Sequence, residues 1–127
     1  MTVHLDVEDL LDIAATILDA PAKVRDYGLL SSAAARPGTT VFGQEAYPDL
    51  AEKAAALLHS ICNNHALIDG NKRLAWSAAR VFVGLNGGAI SDVDVNEAEA
   101  FMVAVADGTL TEVSAIAAQL RRLGVVT

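Results

Sequence analysis

Residues 48–86 read PDLAEKAAALLHSICNNHALIDGNKRLAWSAARVFVGLN. Two apolar stretches flank nine residues of a different character. In the first stretch Leu50, Ala54, Leu57, Leu58 and Ile61 recur at helical spacing, and Pro48 suits the first turn of a helix. This predicts a long helix from Pro48 to about Asn63. A loop from Asn64 to Asp69 follows, then a second helix from about Gly70 to Asn86, ended by Gly87-Gly88. Alanine is abundant in both segments, and aromatic residues make up only 5% of the chain. Small side chains let helix axes approach closely, whereas a β-sandwich draws on branched and aromatic residues. The fold expected is all-α.

The flanking sequence extends that reading. Asp6 suits the cap of a first helix to about Asp19, with Val7, Leu10, Leu11, Ala14, Ile17 and Leu18 on one face and Glu8, Asp9 and Asp12 opposite. Pro21 lies just past its end. A short helix from about Leu29 to Ala35 stops at Arg36-Pro37-Gly38. Thr39 to Gly43 is the only β-like stretch and suits one arm of a hairpin. Towards the C-terminus, Asp94 with Glu97 has the spacing of a capping box and opens a helix to about Ala106. Thr109 with Glu112 repeats that spacing and predicts a last helix to about Leu123, with Arg121 and Arg122 favourably placed in its final turn. No repeat, low-complexity segment or linker interrupts this order. The expectation is a single domain, residues 1–127, of about six helices.

Length and charge narrow the function. A chain of 127 residues supports one core and is too short for two. Its formal charge of −7 argues against direct nucleic-acid binding, which needs surplus lysine and arginine to displace counterions, and against binding to anionic membranes. Cys62 is the one cysteine, so no internal disulfide forms, which fits a reducing compartment. The first ten residues carry acids where a secretory leader carries bases, and no apolar run is long enough to cross a bilayer. A soluble, cytoplasmic protein is expected.

The nine residues between the central helices carry the chemistry. His65-Ala66-Leu67-Ile68-Asp69-Gly70-Asn71-Lys72-Arg73 places an imidazole, a carboxylate, an amide and two cations in one loop that runs into a helix at Gly70. Free N–H groups and the positive dipole end of that helix make an anion site. Glycine lets a phosphate approach the backbone. Asn71 offers an amide donor, and Lys72 and Arg73 add charge. Asp69 suits a Mg²⁺ ion bridging phosphates, since magnesium takes one or two carboxylates plus substrate oxygens. His65 can accept a hydroxyl proton near neutral pH. Each residue also has an ordinary structural reading: His65 as a capping or packing group, Asp69 as a helix N-cap, Lys72 and Arg73 as solvated charges. Their joint occurrence in one span favours the functional one. Elsewhere His4 and His59 read as structural, Cys62 as a buried small residue, and Trp76 as core filling beside the site.

The segment resembles the signature of the Fic/Doc superfamily, His-x-Phe-x-Asp-Ala/Gly-Asn-Lys-Arg in its death-on-curing (Doc) branch. Tyr27-Gly28-Leu29-Leu30, Ala35-Arg36-Pro37, Tyr47-Pro48 and Ala51-Glu52-Lys53-Ala54-Ala55 are also similar to the run-up to that motif, so the likeness covers roughly residues 25 to 90. The resemblance implies a compact helical bundle with the motif joining two central helices. It implies His65 as general base, Asp69 as Mg²⁺ ligand, and Gly70, Asn71, Lys72 and Arg73 as the phosphate cradle for ATP. Most Fic enzymes transfer AMP, with glycine where Lys72 stands and a second arginine where this chain has Trp76. In the Doc branch the nucleotide is turned round to present its γ-phosphate. The implied reaction is phosphorylation of a threonine on elongation factor Tu, by a toxin that a separately encoded antitoxin silences. The segment from Pro37 to Tyr47, with Thr39, Thr40, Val41 and Phe42 in its first arm, resembles the flap that holds the target peptide by strand addition. Leu67 departs from the usual phenylalanine and Leu74 from a common threonine.

Two rival activities deserve a test. One keeps the enzyme but transfers AMP instead of phosphate. The other is a catalytically weak module that acts by binding the antitoxin and tuning its contact with DNA. The intact set of His65, Asp69, Asn71, Lys72 and Arg73 speaks against the second.

Overall fold

A computed structural model describes residues 1–88 and 91–126. The expected domain boundary at Thr127 lies outside the described residues. Six helices follow in chain order: α1 (Val7–Leu18), α2 (Tyr27–Ala35), α3 (Leu50–Asn64), α4 (Asn71–Leu85), α5 (Val95–Ala106) and α6 (Val113–Arg122). A two-stranded hairpin, β1 (Thr40–Val41) and β2 (Gln44–Glu45), stands between α2 and α3. The all-α bundle with a short hairpin is therefore observed.

Aspartates define most helix starts. Asp6, Asp26, Asp49 and Asp94 each accept a hydrogen bond from the backbone three residues on, which satisfies one of the otherwise unpaired N–H groups. Asp6 and Asp9 form a reciprocal capping box, with bonds of 2.8 and 2.9 Å. Asp26 lengthens α2 to begin at Tyr27, two residues before the expected start. The last helix departs from expectation. It begins at Val113, not Thr109, because the Thr109 N–H is taken by Asp107 Oδ1 at 2.8 Å in a turn.

The core is built around α3. Ala51, Lys53 to Leu58, and Ser60 to Cys62 are buried, so this helix is covered on nearly every side. α4 packs along one flank, α6 along another, α2 along a third, while α1 covers α4. Ala54, Ala55, Ala75, Ala78 and Ala79 are fully buried with Leu58, Leu74 and Phe82. These alanines explain how two helices can pass closely enough to hold one short loop between their ends. No helix among the described residues is long and apolar enough to cross a membrane.

The hairpin is anchored at its base on α3. The Arg36 guanidinium donates to Tyr47 Oη (3.1 Å) and Ser60 Oγ (3.0 Å), lies 2.7 Å from His59 Nδ1, and covers the Tyr47 ring. Lys53 is 3% exposed, and its Nζ is bound by the Tyr47 and Pro48 carbonyls and by Glu45 at 3.1 Å. A buried ammonium with three oxygen partners is stable where an unpaired one would not be.

Candidate active site

The loop from His65 to Gly70 is held from three directions. His65 ends α3 in the left-handed conformation, φ 52° and ψ 44°. That geometry is costly for a residue with a Cβ. Arg25, forty residues earlier, meets it: Nε donates to the His65 carbonyl at 2.8 Å and Nη2 to the His65 and Asn64 carbonyls. The α1–α2 connection then runs alongside the loop. The Arg25 N–H donates to the Ala66 carbonyl at 2.8 Å and the Ile68 N–H to the Lys23 carbonyl at 2.9 Å, with Val24 opposite Leu67. Leu67 is buried, so the smaller side chain still anchors the loop in the core.

Asn71 supplies the third restraint. Its Oδ1 accepts from the Leu67 N–H and its Nδ2 donates to the Leu67 carbonyl, both at 3.0 Å. The side-chain amide therefore closes the loop. What the residue leaves available is its backbone N–H.

Gly70 is the N-cap of α4 at φ 88°, with no side-chain cap. The Leu18 Cδ2 atom lies 2.9 Å from where a Cβ would stand on it. The first bond into the helix is Leu74 N–H to the Gly70 carbonyl at 2.9 Å. The N–H groups of Asn71, Lys72 and Arg73 have no acceptor among the described residues, and no acid occupies that first turn. Asp69 does not cap the helix as an ordinary N-cap would. Its Oδ1 accepts from the adjacent Gly70 N–H at 2.9 Å, and the residue is exposed.

His65, Asp69, Gly70, Asn71, Lys72 and Arg73 line one cleft of about 290 Å³. The residues that carry the imidazole, the carboxylate, the cations and the unspent N–H groups therefore border one space. Arg73 also donates to the Ile17 carbonyl at 2.7 Å, which ties it to the end of α1. Lys72 is exposed and has no partner among the described residues. Cys62 backs the cleft, and burial pushes its thiol pKa up, against the pull of the nearby Lys72 charge. Trp76 is half-buried and packs against the core. Thr39, Thr40, Val41 and Phe42 do not line this cleft; they lie in the hairpin. There Thr40 faces Glu45, Val41 faces Gln44, and the turn residues Phe42 and Gly43 both have positive φ.

Sequence reasoning missed Arg25. No local pattern marks it, because its role depends on a contact across forty residues.

The Fic/DOC family model matches residues 4–83, well over half of the chain. A curated protein of Mycolicibacterium smegmatis, named Toxin Doc, is 51% identical over 118 residues, covering 91% of each chain. The signature loop, the helices on either side of it and the extent of both matches lead to one statement: this chain belongs to the Fic/Doc family.

Proposed function

We propose that the chain is a Doc-type toxin that transfers a phosphoryl group from Mg-ATP to a protein hydroxyl. The observation that carries this reading is the start of α4. Asn71, Lys72 and Arg73, whose N–H groups are unspent, line the same cleft as His65 and Asp69. Anionic phosphates satisfy such N–H groups and gain from the helix dipole. The similarity to a protein named Toxin Doc supports the toxin role. The lysine at position 72, where AMP transferases of the superfamily carry glycine, supports phosphate over AMP as the transferred group.

The chemistry is mostly positioning and charge neutralisation. The target hydroxyl attacks the γ-phosphorus as His65 takes its proton, and ADP leaves. Lys72, Arg73 and the N–H groups of residues 71–73 stabilise the charge spread over the phosphate oxygens. Asp69 would hold the Mg²⁺. Among the described residues no three potential metal-ligating side chains cluster, so such an ion depends on one carboxylate plus substrate oxygens, a donor set magnesium accepts. When bound, the ion neutralises phosphate charge. The exposed segment from Thr39 to Phe42, which contains β1, would receive the target as an added strand. By resemblance that target is a threonine of elongation factor Tu, modification of which stops translation, and a separately encoded antitoxin restrains the toxin in the cytoplasm.

Incubation with elongation factor Tu and ATP labelled at the α or γ phosphate tests the reading. Label should pass only from the γ position and vanish with His65→Ala. Transfer from the α position would establish AMP transfer instead. Equal growth inhibition by wild type and His65→Ala would favour the binding module.

A further inference from the structure

The hairpin stands on a polar cluster that the transfer chemistry does not use. Each of its feet is held by a cation. At the entry, Arg36 opens the 3₁₀ turn Arg36–Gly38 that leads into the hairpin. Its guanidinium reaches Tyr47 Oη at 3.1 Å, Ser60 Oγ at 3.0 Å and His59 Nδ1 at 2.7 Å. At the exit, the buried Lys53 ammonium binds the Tyr47 and Pro48 carbonyls and Glu45, the last residue of β2. The Ala46 N–H donates to the Thr39 carbonyl at 2.9 Å, which ties one foot to the other.

One member of this cluster changes charge near neutral pH. A guanidinium only donates hydrogen bonds, so His59 Nδ1 must accept and the ring proton must sit on Nε2. The bond therefore exists only with a neutral ring. Protonation puts a hydrogen on Nδ1 and sets two cations against each other across 2.7 Å. Among the described residues, Arg36 from the turn after α2 and Glu112 from the N-cap of α6 are the charged groups acting on the ring from neighbouring elements. Tyr47 meets Arg36, not the ring, and Lys53, on α3 itself, is occupied by its three oxygens. Burial first, then Arg36, holds the His59 pKa below the usual 6.5, with Glu112 pulling the other way.

We propose that Arg36 and His59 are positioning residues: the neutral ring seats Arg36 on Tyr47, which fixes the hairpin for its protein target, and protonation in mild acid releases it. The inference rests on the reading of the hairpin as the target's seat. Neither residue touches a reacting atom, so the effect falls on target binding and spares ATP binding. The clamp is closed above pH 6.5 and opens as pH falls through the lower folded value.

Two measurements on the full chain test it. The first needs no substrate: an NMR titration from about pH 8 to about pH 5 follows the His59 ring, the Arg36 Nε–H and the amides of residues 39–46. All should move with one midpoint, and the heteronuclear NOE of the hairpin amides should drop on its acid side. His59→Asn keeps an acceptor where Nδ1 stands and takes up no proton, so its hairpin should stay fixed throughout. The second measurement is γ-label transfer to elongation factor Tu. From about pH 7.5 to about 5.5 the KM for this target should rise about tenfold, the loss of one charge-assisted hydrogen bond, while the KM for ATP holds. Titration of His65 changes kcat, and His59→Asn should abolish the KM shift alone. Tyr47→Phe removes the hydroxyl that Arg36 grips and serves if His59→Asn does not fold: it should raise the target KM already at neutral pH. Hairpin amides that ignore the His59 titration, or move equally in His59→Asn, overturn the clamp and leave phosphoryl transfer standing. A hairpin that loosens with no change in target KM overturns the positioning role. Absence of label transfer at neutral pH removes the proposed function instead, and the NMR titration still decides the clamp.

Discussion

Asn71→Ala is the most incisive perturbation of the loop. Leu67 is 2% exposed, and the Asn71 side chain is the sole partner of both its N–H and its C=O among the described residues. Truncation leaves one donor and one acceptor unpaired where water has little access. Each such group costs about 1–3 kcal/mol. Alanine is a better helix former than asparagine, which returns roughly 0.5 kcal/mol. The net loss should be about 1.5–5.5 kcal/mol, a large share of the roughly 5–15 kcal/mol of a typical domain. At this chain length that corresponds to a fall in Tm on the order of 10 °C. Urea unfolding of the wild type, Asn71→Ala and Asn71→Asp measures it. The aspartate keeps the acceptor for the Leu67 N–H, sets an oxygen against the Leu67 carbonyl, and gains about 0.5 kcal/mol from the helix dipole, so it should fall between the other two. A loss below about 0.5 kcal/mol for Asn71→Ala would show that the amide does not hold the loop, and the preorganised cleft would lose its physical basis.

Arg25→Ala should lower kcat more than tenfold with little change in KM for ATP, because Arg25 touches no reacting atom and acts by holding His65; Arg25→Lys should restore part of the rate. A stability loss of equal weight in both variants, with unchanged kcat, would make Arg25 merely structural. Phe42 is fully exposed at the hairpin tip with φ 51°. Phe42→Asn should therefore stabilise the fold by about 1 kcal/mol in a thermal melt while weakening transfer to the target, since asparagine tolerates that backbone better. Burial, then the adjacent Arg36 charge, lowers the His59 pKa from its usual 6.5, against an opposing pull from Glu112. The unfolded chain thus binds the proton more readily, so stability should be full above pH 6.5 and decline as pH falls from there through the depressed folded value. His59→Gln should flatten that part of a pH-dependent denaturation series.

Much of this molecule was legible locally. The 3.6-residue spacing of Leu50, Ala54, Leu57, Leu58 and Ile61, the capping aspartates Asp6 and Asp94, and the breaker at Arg36-Pro37-Gly38 gave the helix order within a residue or two. Each rests on forces acting over a single turn. The exception at Thr109 has the same scale: Asp107 captured the N–H that a helix start would have used. The hairpin register was not legible, since Phe42 stands where asparagine, aspartate or glycine usually precedes the glycine of a turn with two positive φ angles.

The amino-acid order by itself set which residues meet in the loop, because His65, Asp69, Gly70, Asn71, Lys72 and Arg73 occur within nine positions and must share a helix start. The tertiary structure decided what each one does. It spent the Asn71 amide on Leu67, brought Arg25 to the His65 carbonyl and Arg73 to Ile17, and opened a groove between Trp76 and Glu99. These pairings carry no periodicity. They exist because close packing of alanine-rich helices brings backbone carbonyls within reach of long side chains that are distant in the chain, and each unpaired carbonyl or N–H must then find a partner.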